Sequence, residues 1–278
     1  MLVMPQVVSD WIGLQAPLAL QFIGFGLILF AGELLYQATR PRMATWRALL
    51  ASVADVSWVA GTFALLLFFP HMFSSTGNML VLAVAVIVLC FGVWQLWGAG
   101  RAHRATQAGE YRHCIVVETN APADKMWHIV GDMGGIERYM PSLKRSLLLD
   151  GKAPGVGAIR ACEDRAGKAW SEECIAFEAG RGFAVRFLSE APDFPFPAKT
   201  MRGGWDVTPS AAGSQVMVWW ELTPKQAFLA PILLPLLAFQ ADRDFPKIVK
   251  RMAEAAIGGS RESHAQNGVV VRLLPVLC

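Results

Sequence analysis

Two glutamates, Glu163 and Glu173, are the side chains in this chain whose positions best suit acid–base chemistry. They lie in two short alternating segments that are typical of the strands of one hairpin. If Ile175 and Phe177 face the interior, Glu173 does so too, because alternate residues of a strand share a face. A register that pairs Ile159 with Phe177 then sets Glu163 opposite Glu173. Two carboxyl groups in an apolar groove can serve as acid and base.

The alternative is that both glutamates lie at strand ends in solvent. His128, beside Trp127, is a third candidate as a proton carrier, although its position favours the exposed side of a helix. The sequence contains no GxSxG, HExxH or GxxxxGK[ST] motif, and its five histidines are scattered without ligand spacing. We therefore expect no metal site and no cofactor.

These candidates belong to the second half of the chain, where periodicity and turn residues predict an α+β fold. The order is one strand, two helices, six strands and one long helix, which suits an antiparallel sheet wrapped around the C-terminal helix. An elongated apolar cavity between sheet and helix follows if the helix does not fill the groove. The predicted strands are 113–119, 143–149, 156–163, 170–178, 182–189, 202–208 and 214–222.

The first hundred residues differ in character. Hydrophobic residues make up 54% of the chain and charged residues 17%, against about 25% charged in a soluble domain. The excess is concentrated in three runs, 16–36, 49–69 and 78–98, each long enough to cross a hydrocarbon core of about 30 Å as a helix. We predict an all-α three-helix transmembrane domain. The net charge of +3 is too small to indicate a nucleic-acid partner.

The distribution of basic residues predicts the orientation of these helices. Lys and Arg concentrate on cytoplasmic links, and here they follow the first and third runs, as Arg40, Arg42, Arg47, Arg101 and Arg104. The prediction is a multi-pass protein of the bacterial inner (cytoplasmic) membrane, with everything after about residue 100 in the cytoplasm. Five cysteines without a CxxC pair fit a reducing compartment and free thiols.

Two acids interrupt the apolar runs. Glu33 and Asp55 fall at about the same depth in an antiparallel hairpin, near the cytoplasmic boundary. We expect them to reach outward or to pair with the arginines of the first link. The alternative is a proton or ion path, since buried acids in a membrane are costly and often functional.

Several motifs then resemble a known family. Trp127 with Asp132, the Tyr139-Met140-Pro141 break, the Pro154-Gly155-x-Gly157 turn and the Gly213 turn leading into Trp219-Trp220 resemble the polyketide cyclase/dehydrase branch of the START-like (SRPBCC) superfamily. The likeness covers about residues 111–257. The N-terminal part resembles small, uncharacterised bacterial membrane proteins that commonly have four helices. We expect either that this domain has three, or that a further helix before residue 10 is missing from this sequence.

The resemblance implies a helix-grip fold with a cavity for a hydrophobic ligand. At each lining position, plain core is the alternative interpretation. The lining candidates are Trp127, Tyr139, Ile159, Ile175, Phe177, Phe183, Phe187, Trp205 and Trp220. Two apolar surface segments, 191–198 and 228–239, are expected to ring the cavity mouth and to touch the bilayer. The mouth candidates are Phe194, Phe196, Leu233 and Leu236.

The predicted organisation is a transmembrane domain at 1–100, a linker at 101–112, a START-like domain at 113–257 and a tail at 258–278. The leading hypothesis is a membrane-anchored domain that binds a lipid, a quinone or another hydrophobic small molecule, with the bilayer as its other partner. The second is a cyclase or dehydrase that uses Glu173, Glu163 or His128 as acid or base. The third is a non-catalytic accessory protein.

Overall fold

The computed structural model describes residues 3–39, 45–105, 109–258 and 268–274. The chain divides into two compact units, Met1–Ala102 and His103–Cys278. The first unit is helical, whereas the second contains an antiparallel sheet with helices.

Three of the helices in the first unit are long and apolar enough to cross a membrane. This confirms the three predicted apolar helices. A short helix precedes them, which begins at Pro5 and ends at a left-handed Gly13, as helix termini favour. The four helices are α1 (Pro5–Ile12), α2 (Pro17–Ala38), α3 (Thr45–Phe68) and α4 (Ser75–Ala102).

Glu33 of α2 forms an ion pair with Arg47 of α3, with 2.8 Å between Oε1 and Nη1. This is the pairing with a link arginine that the sequence predicts for Glu33. Arg40 and Arg42, on which the predicted orientation also depends, lie outside the described residues.

The second unit is the predicted α+β helix-grip fold. Its strands form one antiparallel sheet in the order β2-β3-β4-β5-β6-β7-β1-β8. A 3-10 helix at Met133–Arg138 follows the first helix of the unit. The strands are β1 (Tyr111–Thr119), β2 (Leu143–Leu148), β3 (Ile159–Asp164), β4 (Ala169–Glu178), β5 (Gly182–Phe187), β6 (Ala198–Ser210), β7 (Gly213–Pro224) and β8 (Val271–Leu274), and the helices are α5 (Ala123–Val130) and α6 (Ala230–Gly258).

The inner face of the sheet is the one that packs against α5 and α6. Odd-numbered residues of β1, such as Ile115 and Val117, and even-numbered residues of β7, such as Val216, are fully buried there. From α6, Val249 and Met252 complete the same core. Burial of this alternating set removes apolar area from water and stabilises the unit.

Helix α6 includes most of the apolar segment 228–239. One helix runs from Ala230 to Gly258 with Pro235 and Pro246 inside it. Each proline removes one backbone hydrogen bond. The helix persists because its inner side is packed along its length, from Leu234 to Met252.

The C-terminal tail supplies a strand that the sequence did not predict. β8 pairs with β1, and Arg272 binds Glu118 with 2.8 Å between Nη2 and Oε2. The expectation of free thiols holds for Cys162 and Cys174. It is wrong for Cys114, which is disulfide-bonded.

Candidate functional site

A buried ion pair lies on the inner face of the sheet, between β3 and β4. Nε of Arg160 lies 3.0 Å from Oε2 of Glu172, and Nη2 of Arg160 binds the same oxygen. Arg160 Nη1 also donates to the Met133 carbonyl oxygen at 3.0 Å, and Trp170 Nε1 donates to Glu172 Oε1 at 2.7 Å. The two residues are 4% and 3% exposed.

Burial of two charges is costly, and geometry decides whether the pair is tolerated. Here the guanidinium donates three hydrogen bonds and both carboxylate oxygens accept. Burial disfavours the charged form of Arg160, but the Glu172 carboxylate more than offsets this, so the pKa of Arg160 lies above its usual value. The pair therefore contributes no net charge to the inner face.

The register of this hairpin differs from the predicted one. Ile159 pairs with Glu173 and Glu163 with Ala169, so the expected pairing of Ile159 with Phe177 is wrong. The cause is the tight turn, in which the Asp164 carboxylate accepts from the backbone N–H groups of residues 166 and 168. This side-chain-stabilised turn sets the centre of the hairpin.

A β-bulge between Cys174 and Ala176 explains why the facing of β4 differs from the predicted one. A bulge inserts one extra residue and reverses the alternation beyond it. Phe177 packs against the core, yet Ile175 is exposed and Glu172 and Cys174 are buried. The inward-facing acid is therefore Glu172, and the predicted inward facing of Glu173 is wrong.

The three residues predicted as acid or base lie away from the inner face. Glu163 accepts from Lys144 Nζ at 2.6 Å, and this hydrogen bond lowers the pKa of Glu163. Glu173 binds Arg186 with 2.8 Å between Oε2 and Nη2. His128 is on the exposed side of α5. The alternative placed both glutamates at strand ends in solvent. Glu163 is near the end of β3, whereas Glu173 is in the middle of β4, and both side chains are partly exposed.

Two thiols lie beside the buried ion pair. Cys162 and Cys174 are buried and free, and across the hairpin Cys162 is opposite Trp170 and not opposite Cys174. Burial, with the Glu172 carboxylate, raises the pKa of Cys162 to about 12. Burial also raises the pKa of Cys174. Both thiols are therefore neutral and unreactive at physiological pH.

One carboxylate near these thiols has an unsatisfied oxygen. Glu137, from the 3-10 helix, has Oε2 buried without a hydrogen-bond partner among the described residues. Its charge acts on Cys162. A buried acceptor without a donor is costly. Because the Glu137 carboxylate is negatively charged, it also disfavours binding of a second anionic group at this end of the inner face.

A second polar pair joins β1 to α6. His113 Nε2 lies 2.9 Å from Oδ1 of Asp242. The ring of Trp220 is 5.6 Å from that of His113, and the ring of His103 is 5.3 Å away on another side. This pair was not predicted from the sequence. Alternate residues of a strand share a face, so the position of His113 two residues before Ile115 places it on the inner face. Nothing in the sequence indicated Asp242 as its partner.

The predicted lining residues divide into two groups. Phe183, Trp205 and Trp220 are buried, and Trp205 contacts Phe245 of α6 at 5.7 Å between ring centroids. Ile159 is next to Arg160 in the chain, and Ile175 is next to Cys174. Arg160 and Cys174 are buried on the inner face, so the two isoleucines lie on the opposite face and do not join the core. Their predicted inward facing is wrong. Partly buried residues that pack against the core are Trp127, Tyr139, Phe177 and Phe187.

The predicted cavity-mouth residues are not all at the surface. Phe194 is buried, because the 191–198 loop folds back onto a cluster beneath the first half of α6. Phe196, half-buried, contacts Phe194 at 5.3 Å and Trp170 at 5.2 Å between centroids. Leu233 is half-buried and Leu236 is exposed.

An apolar stripe lies on the outer side of α6 and of the turn before it. Phe228 is 78% exposed, and Leu229, Ile232 and Leu236 are exposed with it. The spacing of the last three places them on one side of the helix. Exposed apolar patches are typical of surfaces that contact a partner or a membrane. We call these four residues the α6 stripe.

Comparisons with known proteins bear on the second unit. A family model described as polyketide cyclase/dehydrase and lipid transport matches residues 113–257. No curated protein matches the chain. Solved structures with similarity include a point mutant of Thalictrum flavum norcoclaurine synthase in complex with a transition state analogue, at 16% identity and a TM-score of 0.43, covering 55% of this chain and 99% of that one. The Zhui aromatase/cyclase of a Streptomyces species is similar at 18% identity and a TM-score of 0.42, with 56% and 98% covered.

Proposed function

The chain belongs to the polyketide cyclase/dehydrase and lipid transport family, and we propose that it is a membrane-anchored START-like protein that binds an uncharged hydrophobic small molecule. The binding space is the region between the inner face of the sheet and α6. The three long helices anchor the chain in the bacterial inner membrane, with the START-like domain on the cytoplasmic side.

The observation that carries this proposal is the composition of the inner face. Phe183, Trp205 and Trp220 face α6 from three different strands, with Phe177 and Phe187 beside them. Apolar walls with a few placed polar groups are typical of sites for small hydrophobic molecules. We propose these side chains, with Trp127 and Tyr139, as the ligand contacts.

The charges on this face favour an uncharged ligand over an anionic one. The Arg160 guanidinium is already bound by Glu172 and by the Met133 carbonyl, so it is not available for a carboxylate or phosphate head group. The unpartnered oxygen of Glu137 repels an anion. A quinone or a neutral lipid meets these conditions, whereas a fatty acid does not.

The α6 stripe supports delivery from the bilayer. Its members project away from the core, and Lys199 and Lys225 are exposed near the start of the same segment. Apolar residues with neighbouring lysines suit the membrane interface. A bilayer held near by the three helices raises the effective concentration of the domain at that surface.

The decisive experiment is native mass spectrometry of the full chain extracted from its own membranes, followed by identification of any released small molecule. We expect one uncharged apolar molecule per chain, and after its removal, uptake of a quinone or diacylglycerol but not of a fatty acid. A chain that is empty and takes up nothing from a lipid extract overturns the binding proposal and favours an accessory role.

Uptake also tests the α6 stripe. Changing Phe228, Ile232 and Leu236 together to serine should slow transfer from liposomes without altering the amount bound at equilibrium. The matched control is Val156→Ser, an exposed apolar residue in a different loop, 70% exposed. Equal slowing by both variants contradicts a specific role for the stripe.

A second candidate function is an enzyme of the cyclase or dehydrase type. The pair of His113 and Asp242 favours it, because a carboxylate that orients an imidazole is a common acid–base arrangement. Glu163, Glu173 and His128 are less suited, given their positions outside the inner face. Turnover of a bound polyketide-like substrate that is lost in His113→Gln and retained in His128→Gln would support this alternative.

A further inference from the structure

In the helical unit, Asp55 of α3 faces α4. Asp55 is 7% exposed although it lies in an apolar helix. Its Cβ lies only 3.3 Å from the place where a side chain on Gly92 would begin. The glycine therefore lets the two helices approach and directs the carboxyl group against the backbone of α4.

The side chain of Gln95, one turn along α4 from Gly92, is the neighbouring group that can donate a hydrogen bond to the Asp55 carboxyl group. Two oxygens of this pair are left over. Asp55 Oδ2 and Gln95 Oε1 are both buried, and neither has a hydrogen-bond partner among the described residues. An ionised carboxylate oxygen and an amide oxygen both accept hydrogen bonds and cannot donate one. Neither of these two oxygens can therefore satisfy the other.

A single proton removes both deficits. If Oδ2 carries a proton, it donates to Gln95 Oε1, while the Gln95 amide donates to Oδ1. An acid and an amide then form a closed pair with two hydrogen bonds. The same proton removes a buried negative charge, which is the larger cost in an apolar medium. The proton comes from bulk water, and no other group is consumed.

Among the residues that the structure describes, no cationic side chain forms an ion pair with Asp55. Buried polar residues on the same helix are Ser52, which donates to the Ala48 carbonyl, and Thr62. Arg47 is bound to Glu33 at 2.8 Å. A metal ion requires several oxygen ligands, and no group of three or more His, Cys, Asp or Glu side chains that could hold one occurs in the described part of the chain.

We propose that Asp55 is a proton-binding site within the membrane, held protonated at neutral pH as an acid–amide pair with Gln95 that joins α3 to α4. This inference rests on the membrane placement in the proposed function. It separates the acids of α2 and α3, since Glu33 is a half-exposed ion-pair partner of Arg47, whereas Asp55 is buried.

An apolar carbodiimide tests the site, because it modifies protonated carboxyl groups in apolar surroundings. The full chain in lipid nanodiscs at pH 7 is treated with the reagent, and the modified peptides are identified by mass spectrometry. We expect an adduct on Asp55 and none on Glu33, complete loss of the adduct in Asp55→Asn, and none on either acid when the chain is unfolded at pH 7.

Infrared spectroscopy provides a readout that does not depend on reagent access. The carbonyl band of a protonated carboxylic acid should be present at pH 7 and absent in Asp55→Asn, while Glu33→Gln leaves it unchanged. Absence of an Asp55-dependent band at pH 7 overturns the proposal. Asp55→Asn should retain the helical packing, because an amide pair keeps both hydrogen bonds, whereas Asp55→Leu should lose it.

Alkaline extraction of membranes separates this inference from the proposed function. If the chain is released from the membrane, the anchoring proposal fails and this one fails with it. If the chain remains embedded but Asp55 is ionised, only the proton site is wrong.

Discussion

Glu172 and Glu173 are adjacent in the chain but bind arginines on opposite faces of the sheet. Glu172 binds Arg160 on the inner face, buried among aromatic and thiol side chains, whereas Glu173 binds Arg186 on the outer face at 2.8 Å. The two pairs have the same chemistry in different dielectric environments. This contrast gives a direct test of what the buried pair contributes to stability.

We expect Glu172→Gln to lower the free energy of unfolding by about 3–5 kcal/mol, because it leaves the Arg160 charge buried and unpaired. Glu173→Gln should change it by no more than about 1 kcal/mol, since exposed ion pairs contribute little. The measurement is denaturant unfolding of the full chain in detergent, followed by tryptophan fluorescence. Similar losses in the two variants would contradict the assignment of faces.

Phe194 and Phe228 form a second matched pair. Both lie in segments that the sequence placed at the cavity mouth, but Phe194 is buried in an aromatic cluster and Phe228 is exposed. Phe194→Ala should destabilise the domain by about 3–5 kcal/mol, and Phe228→Ala by no more than about 0.5 kcal/mol. If Phe228→Ala were the more damaging variant, the outward position of the α6 stripe would be wrong.

Cys162 and Cys174 should resist alkylation in the folded protein. A thiol reacts as its thiolate, and burial raises the pKa of Cys162 to about 12. At pH 8.5 the reaction with iodoacetamide should therefore be about a thousandfold slower than after unfolding. The rate should rise with pH towards 12. Peptide mass spectrometry measures it, and rapid native labelling of Cys162 would contradict the burial of this thiol.

The same shift makes the folded protein less stable in alkali. Because the unfolded thiol loses its proton at a lower pH than the folded one, the unfolded state binds fewer protons between the ordinary thiol pKa and about 12. The free energy of unfolding should therefore fall as pH rises through this range. Cys162→Ser, whose hydroxyl does not titrate there, should reduce the slope in a series of unfolding curves.

Two aspartates of α6 test the contact with β1. Asp242→Ala removes the acceptor of His113 and should destabilise the domain by about 1–3 kcal/mol. Asp244→Ala, two residues further along the same helix, removes an ion pair with Arg243 at the surface and should have little effect. Because both changes introduce alanine into one helix, the difference in thermal midpoint isolates the His113 contact. Equal midpoints would contradict it.

Much of the architecture follows from local patterns in the sequence. The apolar runs predict α2, α3 and α4, because only a helix satisfies the backbone in a hydrocarbon environment. Alternation and turn residues predict the strands β1 to β7 and the antiparallel sheet. The motifs around Trp127, Pro154 and Gly213 are sufficient for the family. These features depend on residues close together in the chain.

The tertiary structure decided which side chains meet. A bulge after Cys174 and a turn stabilised by Asp164 together set the register, and a shift in either reverses the facing of a whole strand. For this reason Glu172 and Arg160, rather than Glu173 and Glu163, form the buried pair. The contact between His113 and Asp242, 129 positions apart, depends on the docking of α6, which no local pattern encodes. The sequence by itself determined the elements and the family, and packing over long separations decided the composition of the candidate site.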